Sequence, residues 1–144
     1  MEELIHTYHL HPVFVHFPVA LFSTALIFEI LSLVFRQEAF HRTAFFLFTA
    51  GAIAAGFAVL TGREEAEHLN LVSHPVFNMH QKFAYITMWS SWAALAAAFA
   101  VKLKAPQVFR PVFFLIVLGA AILVAITAFY GGHMVYDYGV GVTP

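Results

Sequence analysis

Four long apolar runs, separated by short polar segments, are the feature that most constrains how this chain folds. The runs cover residues 12–35, 43–62, 83–101 and 111–132. Each is close to the ~20 residues that a helix needs to cross a bilayer. Because lipid cannot hydrogen-bond to an exposed backbone, each run must be helical. The alternation of period two that marks the strands of an outer-membrane barrel is missing from all four.

The composition agrees with this reading. Hydrophobic residues make up 61% of the chain and charged residues only 10%, whereas a soluble domain carries roughly 25% charged residues. We therefore predict an all-α fold, a four-helix transmembrane bundle that forms a single domain over residues 1–144. Its predicted helices cover about 12–35, 43–62, 76–102 and 110–132.

Two further features of composition exclude classes of partner and cofactor. Cysteine is absent, which removes disulfides, Fe–S clusters and covalently attached c-type haem. The net charge is −1 with no basic patch, which argues against nucleic acid as a partner.

The distribution of Lys and Arg predicts an orientation. The segments after the first and third spans carry five basic residues: Arg36, Arg42, Lys102, Lys104 and Arg110. The segment between the second and third spans carries two, and the termini carry none. By the positive-inside rule both termini lie on the outer face, which is the periplasmic face of a bacterial inner membrane. Acidic residues precede the first span, so we expect no signal peptide there.

The nine histidines are distributed unevenly. One of them, His41, falls on the predicted cytoplasmic side. The other eight fall at the outer face: His6, His9, His11, His16, His68, His74, His80 and His133. These eight histidines share one face of the membrane in either orientation of the protein.

A short repeat relates the two halves of the chain. The first and third spans both open with the residues HPVF, at His11 and at His74. The repeat predicts two parallel hairpins, an architecture known among membrane proteins. In this register His16 and His80 occupy related positions, about one turn inside the bundle.

Two sequence boxes resemble an uncharacterised bacterial family of predicted four-helix membrane proteins. One is HPxxVHFP from His11 to Pro18, and the other is GGxxVYxxGVG from Gly131 to Gly141. The resemblance extends to Thr61 and Gly62 and to His80, although the family usually has an acidic residue where this chain has His133. Members of that family can be fused to, or encoded near, c-type cytochrome modules. The resemblance therefore implies electron transfer, with a c-type cytochrome or another redox subunit as partner.

The histidines themselves favour a b-type cytochrome, because haem is held in helical bundles by inward-facing histidines. We predict one or two non-covalent haem b groups near the outer face, with His16 and His80 as the axial ligands of the iron. Further candidate ligands are His11, His74 and His133. A quinol site near His74, His133 and Asp137 is a compatible extension.

Two alternatives stay open at this point. The first is a Zn or Cu site at the outer face, built from His6, His9 and His11 with His133, because imidazole suits both metals. The second is a cofactor-free structural or assembly subunit of a membrane complex. In each case we expect an electron carrier or complex subunit, within a homo- or hetero-oligomer, rather than a stand-alone enzyme.

An acidic residue inside a span and a Gly-rich tail lead to two further predictions. Glu29 lies inside the first span, where a carboxyl group is costly unless it is protonated or paired. It predicts a proton relay or a structural pair with Arg36 or with a Ser or Thr. The Gly-rich tail, residues 131–144, predicts an ordered loop over the outer end of the bundle, as a lid or a strap.

Overall fold

A computed structural model describes residues 10–69, 71, 74–104 and 106–140 of the chain. Within these residues the chain forms four helices: α1 (Leu10–Phe35), α2 (Glu38–His68), α3 (Pro75–Lys104) and α4 (Pro106–Tyr138). Each helix is long and apolar enough to cross a membrane. The all-α, four-helix prediction is thereby confirmed.

Tight connections hold the helices antiparallel. Only Arg36 and Gln37 separate α1 from α2, and Arg36 takes the left-handed conformation (φ 53°) that often ends a helix. Helices α3 and α4 begin at Pro75 and Pro106. Proline is favoured at a first helical position, because its missing N–H has no partner there in any residue. All four helices therefore run alternately up and down, and the ends of the described chain lie at the same end of the bundle.

The second and fourth helices extend well beyond the apolar runs that predicted them. Helix α2 continues through a polar turn with an i,i+4 ion pair between Arg63 and Glu67. Helix α4 passes through Gly131 and Gly132 and ends at Tyr138, and Gly139 caps it with a φ of 64°. The prediction of a loop from residue 131 is thus wrong as far as Tyr138, because hydropathy marks only the part of a helix that lipid surrounds.

The four helices form a square in cross-section. Helix α1 packs on α2, α2 on α3, α3 on α4, and α4 closes the ring on α1. Consequently α1 and α3 lie on one diagonal of the bundle, and α2 and α4 lie on the other. Packing is most extensive within the hairpins α1–α2 and α3–α4.

Aromatic rings and small residues fill the interior. Phe22 of α1, Phe48 of α2 and Phe113 of α4 are fully buried. The ring of Phe48 lies 5.4 Å from that of Phe22 and 5.8 Å from that of Phe113, measured between centroids. Many large apolar side chains are exposed, among them Phe46 and Leu115. Exposed apolar surface of this extent fits helices that face lipid.

Burial recurs along the chain with a period of 69 residues. Buried positions in the first hairpin match buried positions in the second: Phe22 and Ser91, Glu29 and Ala98, Ala44 and Phe113, Phe48 and Val117, Ala55 and Val124. The HPVF motifs are 63 residues apart. The two hairpins are therefore equivalent, but in a register six residues away from the one the motif predicts.

Candidate functional site

Two imidazole rings meet across the bundle at the end where α1 and α3 begin. His11 projects from α1 and His80 from α3, which are diagonal partners. The ring centroids are 6.2 Å apart, and the ring planes are at 81° to each other. Both side chains are partly buried. Of the five predicted ligand residues, these two are the ones whose rings face each other.

Each ring is held through its Nδ1 atom. His80 Nδ1 lies 3.0 Å from the carbonyl oxygen of Thr127, which can only accept, so Nδ1 donates. His11 Nδ1 lies 3.4 Å from Thr61 Oγ1, whose own hydroxyl donates to the Phe57 carbonyl at 3.0 Å. Thr61 is therefore free to accept from His11. In both neutral rings the lone pair then resides on Nε2, the tautomer in which Nε2 can ligate a metal.

Two glycines leave room for the two rings. A β-carbon at Gly62 of α2 would lie 2.6 Å from His11 Cε1, and one at Gly131 of α4 would lie 3.2 Å from His80 Cε1. Gly62 follows His11 by 51 residues, and Gly131 follows His80 by the same number. This matched spacing can be read from the sequence, and it indicates the register in which His11 corresponds to His80. The HPVF motif indicates a register six residues away from it.

His16 has a different environment from the facing pair. Five residues along a helix correspond to a rotation of about 140° beyond one full turn, so His16 points away from the face that carries His11. Its side chain is exposed, and its Nδ1 contacts the Pro12 carbonyl of its own helix. In the 69-residue register the equivalent of His80 is His11. The predicted pairing of His16 with His80 is therefore not the one that the structure brings together.

The remaining candidates gather around Tyr138 at the same end of the bundle. The ring centroid of Tyr138 lies 4.8 Å from that of His74 and 5.5 Å from that of His133. His133 Nδ1 also contacts the Asp137 carboxyl group, one turn further along α4. His74 and His133 are thus neighbours of one tyrosine, Tyr138.

The structure describes only some of the histidines of the predicted Zn or Cu site. His6 and His9 lie outside the described residues, as does the side chain of His68. Among the residues that the structure describes, no three His, Cys, Asp or Glu side chains come together as a metal site would require.

A second polar cluster occupies the opposite end of the bundle. Glu29 of α1 is fully buried and pairs with His41 of α2, with 2.8 Å between Oε2 and Nδ1. The sequence predicted Arg36 or a Ser or Thr as the structural partner of Glu29, whereas the partner in the structure is His41. The rings of Phe109 and Phe113 stand edge-on to His41, at centroid distances of 5.4 and 5.3 Å.

Comparisons with known proteins place the chain in one family. The family described as predicted membrane protein, DUF2231, matches residues 7–144, which is nearly the whole chain. No curated protein and no solved structure matches the chain.

Proposed function

The chain belongs to the DUF2231 family of predicted membrane proteins, and we propose that it is a b-type cytochrome that transfers electrons. His11 and His80 are the residues that would hold a single non-covalent haem. The observation that carries the proposal is the facing pair itself: two imidazoles from diagonal helices, each held through Nδ1.

The separation of the rings is compatible with joint ligation of one metal ion. A metal–imidazole nitrogen bond is about 2.0–2.1 Å long, and the ring centroids of His11 and His80 are 6.2 Å apart.

The number of ligands favours haem over a bare ion. Zinc takes four protein ligands in structural sites and three in catalytic ones. A porphyrin supplies four nitrogens of its own, so two histidines complete the coordination of its iron. Within the described part of the chain, His11 and His80 have no third ligand of the kinds that zinc needs.

Gly62 and Gly131 leave room for the two imidazoles that would hold the haem, because a β-carbon at Gly62 would lie 2.6 Å from His11 Cε1 and one at Gly131 would lie 3.2 Å from His80 Cε1. Bound haem would supply one-electron redox chemistry, and the two histidines would hold and orient it.

The distribution of basic residues indicates which side of the membrane the site faces. Arg36, Arg42 and Arg110 belong to the end of the bundle away from His11, together with Lys102 and Lys104. By the positive-inside rule this end faces the cytoplasm and the His11–His80 end faces the periplasm of a bacterial inner membrane. A periplasmic c-type cytochrome is the proposed redox partner.

An absorption spectrum of the detergent-purified protein, oxidised and then reduced with dithionite, tests the proposal. We expect a sharp reduced α band and a b-type pyridine haemochrome, with one haem per chain. His11→Ala and His80→Ala should each abolish the reduced α band. His16→Ala is the matched control, because His16 lies on the same helix and its exposed side chain points away from the pair. Its spectrum should equal that of the wild type.

Two results would overturn the proposal. A colourless protein, produced with haem in ample supply, would exclude the cytochrome, and Zn or Cu without porphyrin would favour the metal-site alternative. A normal spectrum in His11→Ala together with loss of haem in His16→Ala would reject the ligand assignment.

A further inference from the structure

The cluster at the end of the bundle opposite to His11 contains polar atoms that the protein leaves without partners. Glu29, Ser32 and His41 are 0%, 0% and 5% exposed. Glu29 Oε2 pairs with His41, but Glu29 Oε1 and Ser32 Oγ have no hydrogen-bond partner among the described residues. A buried polar atom without a partner costs about 1–3 kcal/mol. Two such atoms three residues apart on one helix face therefore call for a small polar occupant.

The bundle does not need these polar residues in order to pack. In the 69-residue register, Glu29 and Ser32 correspond to Ala98 and Val101 of α3. Ala98 is fully buried, as Glu29 is. The second hairpin thus has apolar residues at the positions equivalent to Glu29 and Ser32, and Arg110 at the position equivalent to His41. A buried pair is in any case weak evidence for a role in stability, so the cluster calls for a chemical explanation.

We propose that Glu29, Ser32 and His41 form a proton-exchange site that holds one internal water molecule. The water bridges Glu29 Oε1 and Ser32 Oγ, and it satisfies both orphaned atoms at once. A proton that arrives through this water binds Glu29 Oε1, while His41 Nδ1–H continues to donate to Glu29 Oε2 along the 2.8 Å hydrogen bond. Loss of the proton returns the pair to one carboxylate and one neutral imidazole.

The chemistry of the cluster favours a proton over a metal cation. Hard cations take about six oxygen ligands. This cluster offers two carboxylate oxygens and one hydroxyl, and one of the carboxylate oxygens is already bound to His41. A carboxylate–imidazole pair is a general acid–base pair. The edges of Phe109 and Phe113 against the His41 ring provide it with apolar walls.

The charged residues at this end of the bundle belong to all four helices. Arg36 follows the last residue of α1, and Glu38 and Arg42 of α2 form an exposed ion pair with 3.6 Å between Oε1 and Nε. Arg110 of α4 donates to Glu38 at 3.0 Å. On α3 the basic residues are Lys102 and Lys104, whose side chains lie outside the described part of the chain. Glu38, the other acidic residue at this end, is exposed and already paired with two arginines, which leaves Glu29 as the buried acceptor.

The site is independent of the proposed haem. Glu29 lies 18 residues after His11 on α1, which corresponds to about 27 Å along the helix axis. The proton site therefore lies toward the opposite end of the bundle, and it can be tested in protein with or without haem.

Infrared difference spectroscopy of proteoliposomes, recorded on steps of pH in ¹H₂O and ²H₂O, tests the proposal. Glutamate labelled with ¹³C and histidine labelled with ¹⁵N identify the bands. We expect carboxyl and imidazole bands that change together with a single midpoint. The carboxyl band should be absent from Glu29→Gln, the imidazole band should be absent from His41→Ala, and the common midpoint should be lost in both. Ser32→Ala should shift the carboxyl band, because it removes one anchor of the bridging water. Glu38→Gln is the matched control and should keep the signal.

A second variant separates loss of the signal from loss of the fold. Glu29→Ala combined with Ser32→Val installs the residues that the second hairpin has at these positions, so it should fold and lack the signal. The proposal is overturned if the wild type gives no Glu29-dependent band at any pH where it remains helical. An unshifted band in Ser32→Ala would likewise reject the bridging water.

Discussion

A β-carbon at Gly62 would lie 2.6 Å from Cε1 of His11, which is closer than two such carbon atoms can approach. The imidazole of one helix thus occupies the place of a side chain on the next helix. Gly131 and His80 repeat the relationship in the second hairpin at 3.2 Å. In each hairpin a glycine therefore determines where a histidine ring can lie.

Gly62→Ala should displace the His11 ring and weaken the site. We expect a loss of about 1–3 kcal/mol in the free energy of unfolding, because overpacking costs that much, together with reduced retention of haem. Gly131→Ala should have a smaller effect, since its contact is longer. Denaturant titration and the haem-to-protein ratio measure the two effects.

Gly119→Ala is the control for these substitutions. Nothing lies within 4 Å of a β-carbon built at Gly119. Alanine in a helix interior is more stable than glycine by about 0.5–1 kcal/mol, so this variant should be neutral or stabilised. If Gly62→Ala behaved as Gly119→Ala does, the ring of His11 would not be where we describe it.

Phe48→Ala should destabilise the bundle by about 3 kcal/mol, because it opens a cavity among fully buried rings. Phe46→Ala, two residues earlier on the same helix, should cost less than about 1 kcal/mol. Phe46 is 72% exposed, and lipid is as apolar as the side chain it replaces. Unfolding in mixed micelles measures both. Equal effects would show that α2 is rotated away from the described orientation.

Trp92→Phe should loosen the contact between α2 and α3. The indole Nε1 of Trp92 donates to the carbonyl oxygen of Ala52 at 2.8 Å, and hydrogen bonds between membrane helices contribute about 0.6–2 kcal/mol. Trp89→Phe is the comparison, since Trp89 is 60% exposed. We expect the free energy of unfolding to fall in Trp92→Phe and to change little in Trp89→Phe, and the reverse order would contradict the bond.

His41→Ala should destabilise the protein by about 3 kcal/mol, because it leaves the Glu29 carboxyl buried without its partner. The double substitution Glu29→Ala with His41→Ala should recover part of this loss, since no orphaned carboxyl remains. A double-mutant cycle on the free energy of unfolding measures the coupling. Additive effects would mean that the two side chains do not form a pair.

Several features of the site could be predicted from the sequence. The clustering of histidines at one end follows from their order along a chain that crosses the membrane four times, and both His11 and His80 were among the predicted ligands. The pairing was not predictable from the HPVF motif, which lies six residues away from the true register. The 51-residue spacing from His11 to Gly62 and from His80 to Gly131 carries that register.

The four membrane-crossing helices, and the all-α class, follow from the sequence by itself. Long apolar runs in lipid have no other way to satisfy their backbone, so composition along the chain is sufficient. The tertiary structure alone decided which faces of the helices meet. In a soluble helix the buried face is the apolar one, but in lipid both faces are apolar, so the pattern of residues does not reveal the inner face. For that reason only the packed bundle turns His11 toward His80, turns His16 outward and brings His41 to Glu29.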